Sequence, residues 1–243
     1  MLPGKIINVG GICNNTITIS SLEDADRFVH DRIGSNGMFD CYLGEEVLIN
    51  DGEYNAVWQV VGVDTELDKG DIALTQHHIS LVPKTVIDTS EIHSNNHRFN
   101  GYINSNTMYP VTMRHIEFLL EGVLGNHLLE RRVKLTDEVG GLDNKSSSNE
   151  YYSVRANLMC QQQVFGTVDS DYGNEYDTGD DTEQLPGFKT GKVKKDVGTW
   201  WWLRDICGYS DGRFFSSVNT DGSLGYASVT DSDCGVRPLI TIG

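Results

Sequence analysis

Apolar residues recur at helical spacing in two stretches of this chain and at strand spacing through most of the rest. The first helical stretch opens on Ser20-Ser21-Leu22-Glu23, which reads as a capping box, and sets Leu22, Ala25, Phe28, Val29 and Ile33 on one face before Gly34. It predicts a helix over residues 21–33. The second begins near Pro110, a residue suited to a first helical turn, and runs through Met113, Ile116, Leu119, Leu120, Val123, Leu124 and Leu128. Gly122 and Gly125 weaken its end.

The strand pattern is most continuous between residues 39 and 82. Strands are expected over 41–49 and 56–63 around the turn Asn50-Asp51-Gly52, then over 71–82 after a polar loop at 64–69, which together make an antiparallel meander. Short strands at 5–9 and 16–19 flank Gly10-Gly11, and a further strand is expected at 131–136. Residues 88–107, rich in Asn, Ser and His, read as a long polar loop, and Gly140, Gly141 and Ser146 to Ser148 as a linker. Residues 151–164 start extended, and their middle fits helix or strand equally. Residues 169–183 read as an acidic surface loop.

The last 46 or so residues carry the strongest signal. In Gly198-Thr199-Trp200-Trp201-Trp202-Leu203-Arg204-Asp205-Ile206 the tryptophans alternate faces of an extended strand, so both faces need cover and the strand belongs in a sheet interior. Tyr209-Ser210-Asp211-Gly212 and Asn219-Thr220-Asp221-Gly222 are turns around strands at 213–218 and 223–229. A final strand follows, with Pro238 admissible at a strand start, a bulge or an edge. Arg204 and Arg237 lie inside apolar runs, which calls for buried, paired guanidiniums, for instance with Asp205 or another acidic side chain.

Composition narrows the class. The chain has 243 residues, 38% hydrophobic and 22% charged, with 26 glycines, which describes a turn-rich globular protein, best read as one main domain. A net charge of −16 argues against a nucleic-acid partner, which requires clustered Lys and Arg. No run approaches the roughly 20 apolar residues of a membrane span, so membrane insertion is not expected, nor is export by a cleaved leader. Five cysteines, Cys13, Cys41, Cys160, Cys207 and Cys234, have no CxxC spacing; Cys207 and Cys234 bracket the final hairpin and are the one pair considered for a disulfide.

No cofactor is required by any motif. Calcium is the one ion with candidate ligands, Asp169, Asp171 and Asp177 around Gly173, set against the alternative of a solvated acidic loop without EF-hand spacing. His77 and His78 are neighbours on an extended stretch and cannot share a metal, and His93 and His97 lack a glutamate partner. No cysteine sits in a sequence context that lowers a thiol pKa, so no catalytic residue is assigned. For ligand binding, Tyr209, Arg213, Phe214 and Tyr226 combine a guanidinium with amphipathic rings around the last hairpins, a mixture suited to polar or glycan surfaces.

The tail also carries a resemblance. The run Trp200-Trp201-Trp202-Leu203-Arg204-Asp205, followed by Asp221-Gly222-Ser223-Leu224-Gly225-Tyr226-Ala227-Ser228 and Gly235-Val236-Arg237-Pro238-Leu239-Ile240, resembles the C-terminal signature of the DUF6273-like group of bacterial and prophage-encoded domains. That signature is similar to the ending of C-type-lectin-like folds, as in formylglycine-generating enzymes and phage tropism determinants. The resemblance implies an α+β, C-type-lectin-like domain of antiparallel sheets, two main helices and long loops over residues 20–243. Residues 1–19 precede it as a strand segment and candidate assembly contact. It further implies a phage virion-surface protein, in capsid decoration or at the tail, assembled in the host cytoplasm as a homo-oligomer. Its partners would be other virion proteins and a host-surface glycan or protein. The alternative is an intracellular, thiol-dependent enzyme related to the formylglycine generators.

Overall fold

The computed structural model describes residues 17–34, 38–95, 100–140, 145–169, 179–195, 197–207 and 212–243. Along the chain, β1 (Ile17–Ile19) leads into α1 (Leu22–Arg32), then β2 (Glu46–Ile49), β3 (Ala56–Val63), β4 (Ile79–Pro83) and β5 (Asp88–Thr89). A π-helical turn, Met108–Met113, feeds α2 (Arg114–Leu124), followed by β6 (Arg131–Gly140), β7 (Lys145–Val154), β8 (Ala156–Leu158) and α3 (Gln161–Phe165). Short 3-10 turns at Pro186–Thr190 and Lys192–Lys194 precede β9 (Trp201–Ile206), β10 (Phe214–Val218), β11 (Leu224–Ser228), β12 (Gly235–Val236) and β13 (Pro238–Ile242). The architecture is mixed α/β, dominated by antiparallel-rich sheets, with two main helices. Among the described residues no helix is long and apolar enough to cross a membrane.

Local chemistry explains both helices. Ser21 caps α1 from an extended backbone, its hydroxyl accepting from the Asp24 amide at 3.2 Å. The Asp24 carboxylate in turn accepts from the Ser20 amide and the Ser20 and Ser21 hydroxyls, which holds its pKa low. The box is thus one residue later than Ser20 and Glu23 suggest. Ala25 and Phe28 are buried, but Leu22, expected on that face, is 52% exposed. In α2, Ile116, Leu120, Val123 and Leu124 form the inward stripe. Glu117, buried among them, accepts the Arg155 and Ala156 amides at 2.8 and 3.1 Å, tying the helix to the start of β8.

Two sheets carry the molecule. One has the order β1-β2-β3-β4-β13-β8, the other β11-β10-β9-β12-β5, and β6 and β7 form a separate hairpin. β9 is central, as three successive tryptophans require: Trp202 enters the larger apolar core with Phe215, Ile206 and the helices, while Trp201 enters a smaller core with Val61, Leu203, Phe188 and Leu239. The Trp202 indole N–H donates to the Ser90 carbonyl at 2.6 Å, so its burial leaves no orphan donor.

Several expectations shift. The strand foreseen at 41–49 is only β2, because Gly44 turns the chain at φ +83°. That at 71–82 is only β4: Asp64 and Asp68 adopt left-handed φ of 52° and 61°, folding the approach into turns. The linker around 140–148 is replaced, from Lys145 onward, by the start of β7, paired antiparallel with β6 across register shifts at Thr136–Val139. Residues 151–164 divide into the end of β7, β8 and α3. The final strand is two strands in two different sheets, β12 and β13, with Pro238 at the start of the second. In the segment 1–19, Ile17–Ile19 is β1, paired in parallel with β2 and with Ile19 fully buried; residues 1–16 lie outside the described residues.

His78, at the end of this turn region, is fully buried and serves the fold, not a metal. Its Nε2 accepts the Glu66 amide at 3.0 Å and its Nδ1 donates to the Gln76 carbonyl at 2.9 Å, which requires the neutral ring. Burial pulls its pKa from 6.5 down to about 4, against the opposing charge of Asp64. The unfolded chain therefore protonates first on acidification, and this stabilisation, on the order of 3 kcal/mol, is full above pH 6.5 and lost as the pH falls toward about 4. Glu66, raised by its burial, has the opposite slope. Denaturation between pH 7 and 4 should show a shallower decline for His78→Gln than for the parent; equal slopes would remove His78 as the cause.

Candidate functional site

The register of β10 and β11 pairs Val218 with Leu224, Ser216 with Tyr226, and Phe214 with Ser228, all on one sheet face. Val218 and Leu224 meet Trp201 and Leu203 in the smaller core. Two residues further along, the same face turns polar. Gln161, first residue of α3, organises this end: its amide donates to Asp205 at 2.7 Å, its Nε2 donates to the Ser216 hydroxyl at 2.7 Å, and its Oε1 accepts the Asp169 amide at 2.8 Å. Tyr226 closes the ring by donating its hydroxyl to Asp169 Oδ2 at 2.9 Å.

Gln161, Asp205 and Ser216 are fully buried, whereas Asp169 and Tyr226 are half-buried and Phe214 is 42% exposed. The Tyr226 phenol is pushed upward, first by burial and then by its bond to, and the charge of, Asp169, so it stays protonated and donating through the neutral range. Arg213 is half-buried beside Phe214, and its carbonyl accepts the Val229 amide at 3.0 Å, which fixes the backbone there. The result is a carboxylate, a phenol and an exposed ring at one end of the sheet, with Arg213 next along the chain. Such a surface offers hydrogen bonds and stacking to a polar ligand.

Phe214 and Tyr226 thus share one sheet face, and Asp169, first considered as a calcium ligand, is bonded to Tyr226; Arg213 immediately precedes β10. Tyr209, Asp171 and Asp177 lie outside the described residues. Among the described residues no three His, Cys, Asp or Glu side chains converge on a common point. Gln161 and Ser216 escaped the sequence reading, and Asp205 entered it only as a partner for Arg204. The available signal was a polar residue at a buried position: Asp205 within an apolar strand, and Gln161 directly after the buried Cys160.

A second polar cluster lies deeper. Arg204 pairs with Asp181 at 2.8 Å, while Asp205 accepts the amide of Gln161. Lys69 holds the other Asp181 oxygen at 3.0 Å, and Glu66 follows, 3.8 Å from Lys69 and 3.6 Å from Arg131. Burial raises Asp181, but Lys69 and Arg204 outweigh it and hold the carboxyl below its usual range. Arg204 also donates to the Leu158 carbonyl and to Gln163, and the space between these groups admits no water. The adjacent Asp180 accepts from Gly70 and from the Tyr151 hydroxyl. The far end of the expected surface loop is therefore anchored inside the protein. This cluster staples the far end of the loop to the sheets.

The thiols offer no activated nucleophile among those that burial shifts. It raises Cys41 to about 12 and pushes Cys160 and Cys234 upward as well, away from the thiolate. Cys207 and Cys234 are both thiols in this structure.

Residues 129–243 match the family model described as Domain of unknown function (DUF6273). No curated protein and no solved structure matches the chain. The DUF6273 region contains every residue of the polar sheet end, together with Asp181 and Arg204. It contributes β8 and β13 to the six-stranded sheet, whose other four strands, β1 to β4, come from the preceding residues.

The two clusters predict opposite responses to mutation. Arg204→Met leaves Asp181 buried with only Lys69 and should cost about 3–5 kcal/mol in denaturant unfolding. Tyr226→Phe removes one hydrogen bond at a half-exposed site and should cost no more than about 1 kcal/mol. Comparable losses from both would contradict the division into staple and surface.

Proposed function

We propose that this protein is a phage virion-surface component that displays a lectin-like domain for attachment. Its recognition surface is the polar sheet end bearing Asp169, Arg213, Phe214 and Tyr226. The observation that carries the reading is the Asp169–Tyr226 pair, held at 2.9 Å beside a 42% exposed Phe214 on a sheet whose other end is locked in the core. A hydroxyl-rich ligand such as a host-surface glycan suits it, because a carboxylate and a phenol exchange hydrogen bonds with hydroxyls while an exposed ring stacks on a sugar face. The lectin-like assignment is supported by the likeness of the final strands to that signature, and the virion location by the prophage setting of the group the tail resembles. Other virion proteins and further copies of the chain are the remaining partners. Thiols raised by burial weigh against the thiol-dependent alternative.

The test pairs binding with stability. Arg213→Ala, Phe214→Ala and Tyr226→Ala should each weaken binding to purified host envelope polysaccharide about tenfold or more, a loss near 1.4 kcal/mol. Because these positions are exposed or half-buried, Tm should shift far less than for a core aromatic, whose truncation costs about 3–5 kcal/mol. Unchanged binding, or a collapse of Tm in all three, would remove this surface from consideration.

A further inference from the structure

Acidic residues outnumber lysines and arginines in this chain by 35 to 19, so a cation left without a carboxylate is unusual. Among the described residues nine of the cations, from Arg27 to Arg204, form ion pairs. One turn departs from this. Residues 189–195, Lys-Thr-Gly-Lys-Val-Lys-Lys, hold four of the 19 in seven positions with no acidic residue among them. Lys189 and Lys195 are exposed, Lys194 is half-buried, and none of the three forms an ion pair among the described residues. Burial and then the charge of Lys195 hold the Lys194 ammonium below its usual range. Asp221, on the facing turn, accepts instead from the Ser223 amide and hydroxyl at 2.9 and 2.6 Å.

The turn is packed in place. Val193 is buried in the smaller core with Val218, and Leu224 and Phe165 pack against the same core. Lys194 Nζ stands 4.8 Å from the Phe165 ring, and the Lys195 stem lies so close to Gly222 that a Cβ there would fall 2.8 Å from its Cγ. Phe165 ends α3 and Gly222 lies in the turn between β10 and β11, whereas Gln161, Phe214 and Tyr226 mark the opposite ends of these elements. Val218 and Leu224 share the sheet face of Ser216 and Tyr226, so the lysines and the Asp169–Tyr226 pair border one face. At about 3.3 Å per residue, the four steps from Phe214 to Val218 set them on the order of 13 Å apart. A ligand that touches both is a chain of several units, bearing hydroxyls at one end of the face and negative charge at the other. Nucleic acid fits poorly, because a charge every 1.7 Å or so of duplex would meet Asp169 and a net charge of −16. A second copy of the chain, equally acidic, would be repelled. We infer that the 189–195 turn is the anion-binding part of the recognition surface, and that its ligand is an acidic polysaccharide whose carboxylate or phosphate groups lie on Lys194 and Lys195. The inference rests on the reading of the sheet end as a glycan-binding surface.

Three polymers test this by titration of the full chain at low salt: polygalacturonate, a poly(glycerol phosphate) chain, and methyl-esterified polygalacturonate as the uncharged counterpart. At least one of the two anionic polymers, which separate carboxylate from phosphate, should bind tenfold or more tighter than the ester and weaken steadily with added salt. Joint substitution Lys194→Gln and Lys195→Gln should reduce that binding at least tenfold and flatten its salt dependence, with Tm unmoved. Arg27→Gln, which removes an exposed cation that is paired with Asp24 on α1, should change it less than twofold. Tyr226→Ala should weaken charged and uncharged polymers alike. Loss with the lysine substitutions but not with Tyr226→Ala would uphold the lysine contact and count against the sheet end. Loss with Tyr226→Ala alone would overturn the lysine contact and leave the sheet end standing. Absence of binding to both anionic polymers, equal binding of the ester, an equal effect of Arg27→Gln, or equally tight binding of a DNA duplex would each overturn the inference.

Discussion

A buried cation sits where the chain passes from one sheet to the other. The chain leaves β12 in the five-stranded sheet and enters β13 in the six-stranded sheet with a single residue between, Arg237. Its side chain is fully buried and meets no carboxylate among the described residues. Nε donates to the Pro83 carbonyl at the end of β4, and Nη1 donates to the Val193 carbonyl, each at 2.7 Å. The guanidinium lies 5.0 Å from the ring of Trp201 on β9 and 5.7 Å from that of Phe188. One side chain thus touches both sheets and the 3-10 turns between them. Burial lowers its pKa to about 9, which leaves it cationic at neutral pH, stabilised by carbonyl dipoles and ring faces.

That junction makes the rest of the tail a rigid support. With β9 fixed between two cores by Trp201 and Trp202, Arg204 and Asp205 are presented to opposite tasks. Arg204 pulls Asp181 into the interior, and Asp205 seats Gln161 and, through it, Asp169. The acidic segment between Asp169 and Asp180 is therefore held at both ends by bonds to the frame.

Features that depend on local periodicity were legible in the sequence. The tryptophan triplet implied a central strand, the Ser21 region a helix start, and residues 56–63 are β3 without adjustment. Features that depend on distant partners were not. That the acidic partner of Arg204 is Asp181, while Asp205 receives the Gln161 amide, depends on the placement of α3, more than 40 residues upstream of Asp205. The break at Arg237 was hidden because Val236 and Leu239 are both apolar, and either sheet could have taken the whole segment. At the candidate site, the residue types suited to ligand contact were visible, but the glutamine that holds them together carries no pattern of its own.

The central claim is that Arg237 couples the two sheets into one body. Substitution by methionine preserves most of the volume and removes both donors, leaving the Pro83 and Val193 carbonyls buried and unpaired, at about 1–3 kcal/mol each. Amide hydrogen exchange on Arg237→Met, followed peptide by peptide, tests it directly. The account predicts that β4 and β13 in one sheet and β9 and β12 in the other lose protection together and by similar amounts. Loss confined to one sheet, or protection equal to that of the parent protein, would contradict it.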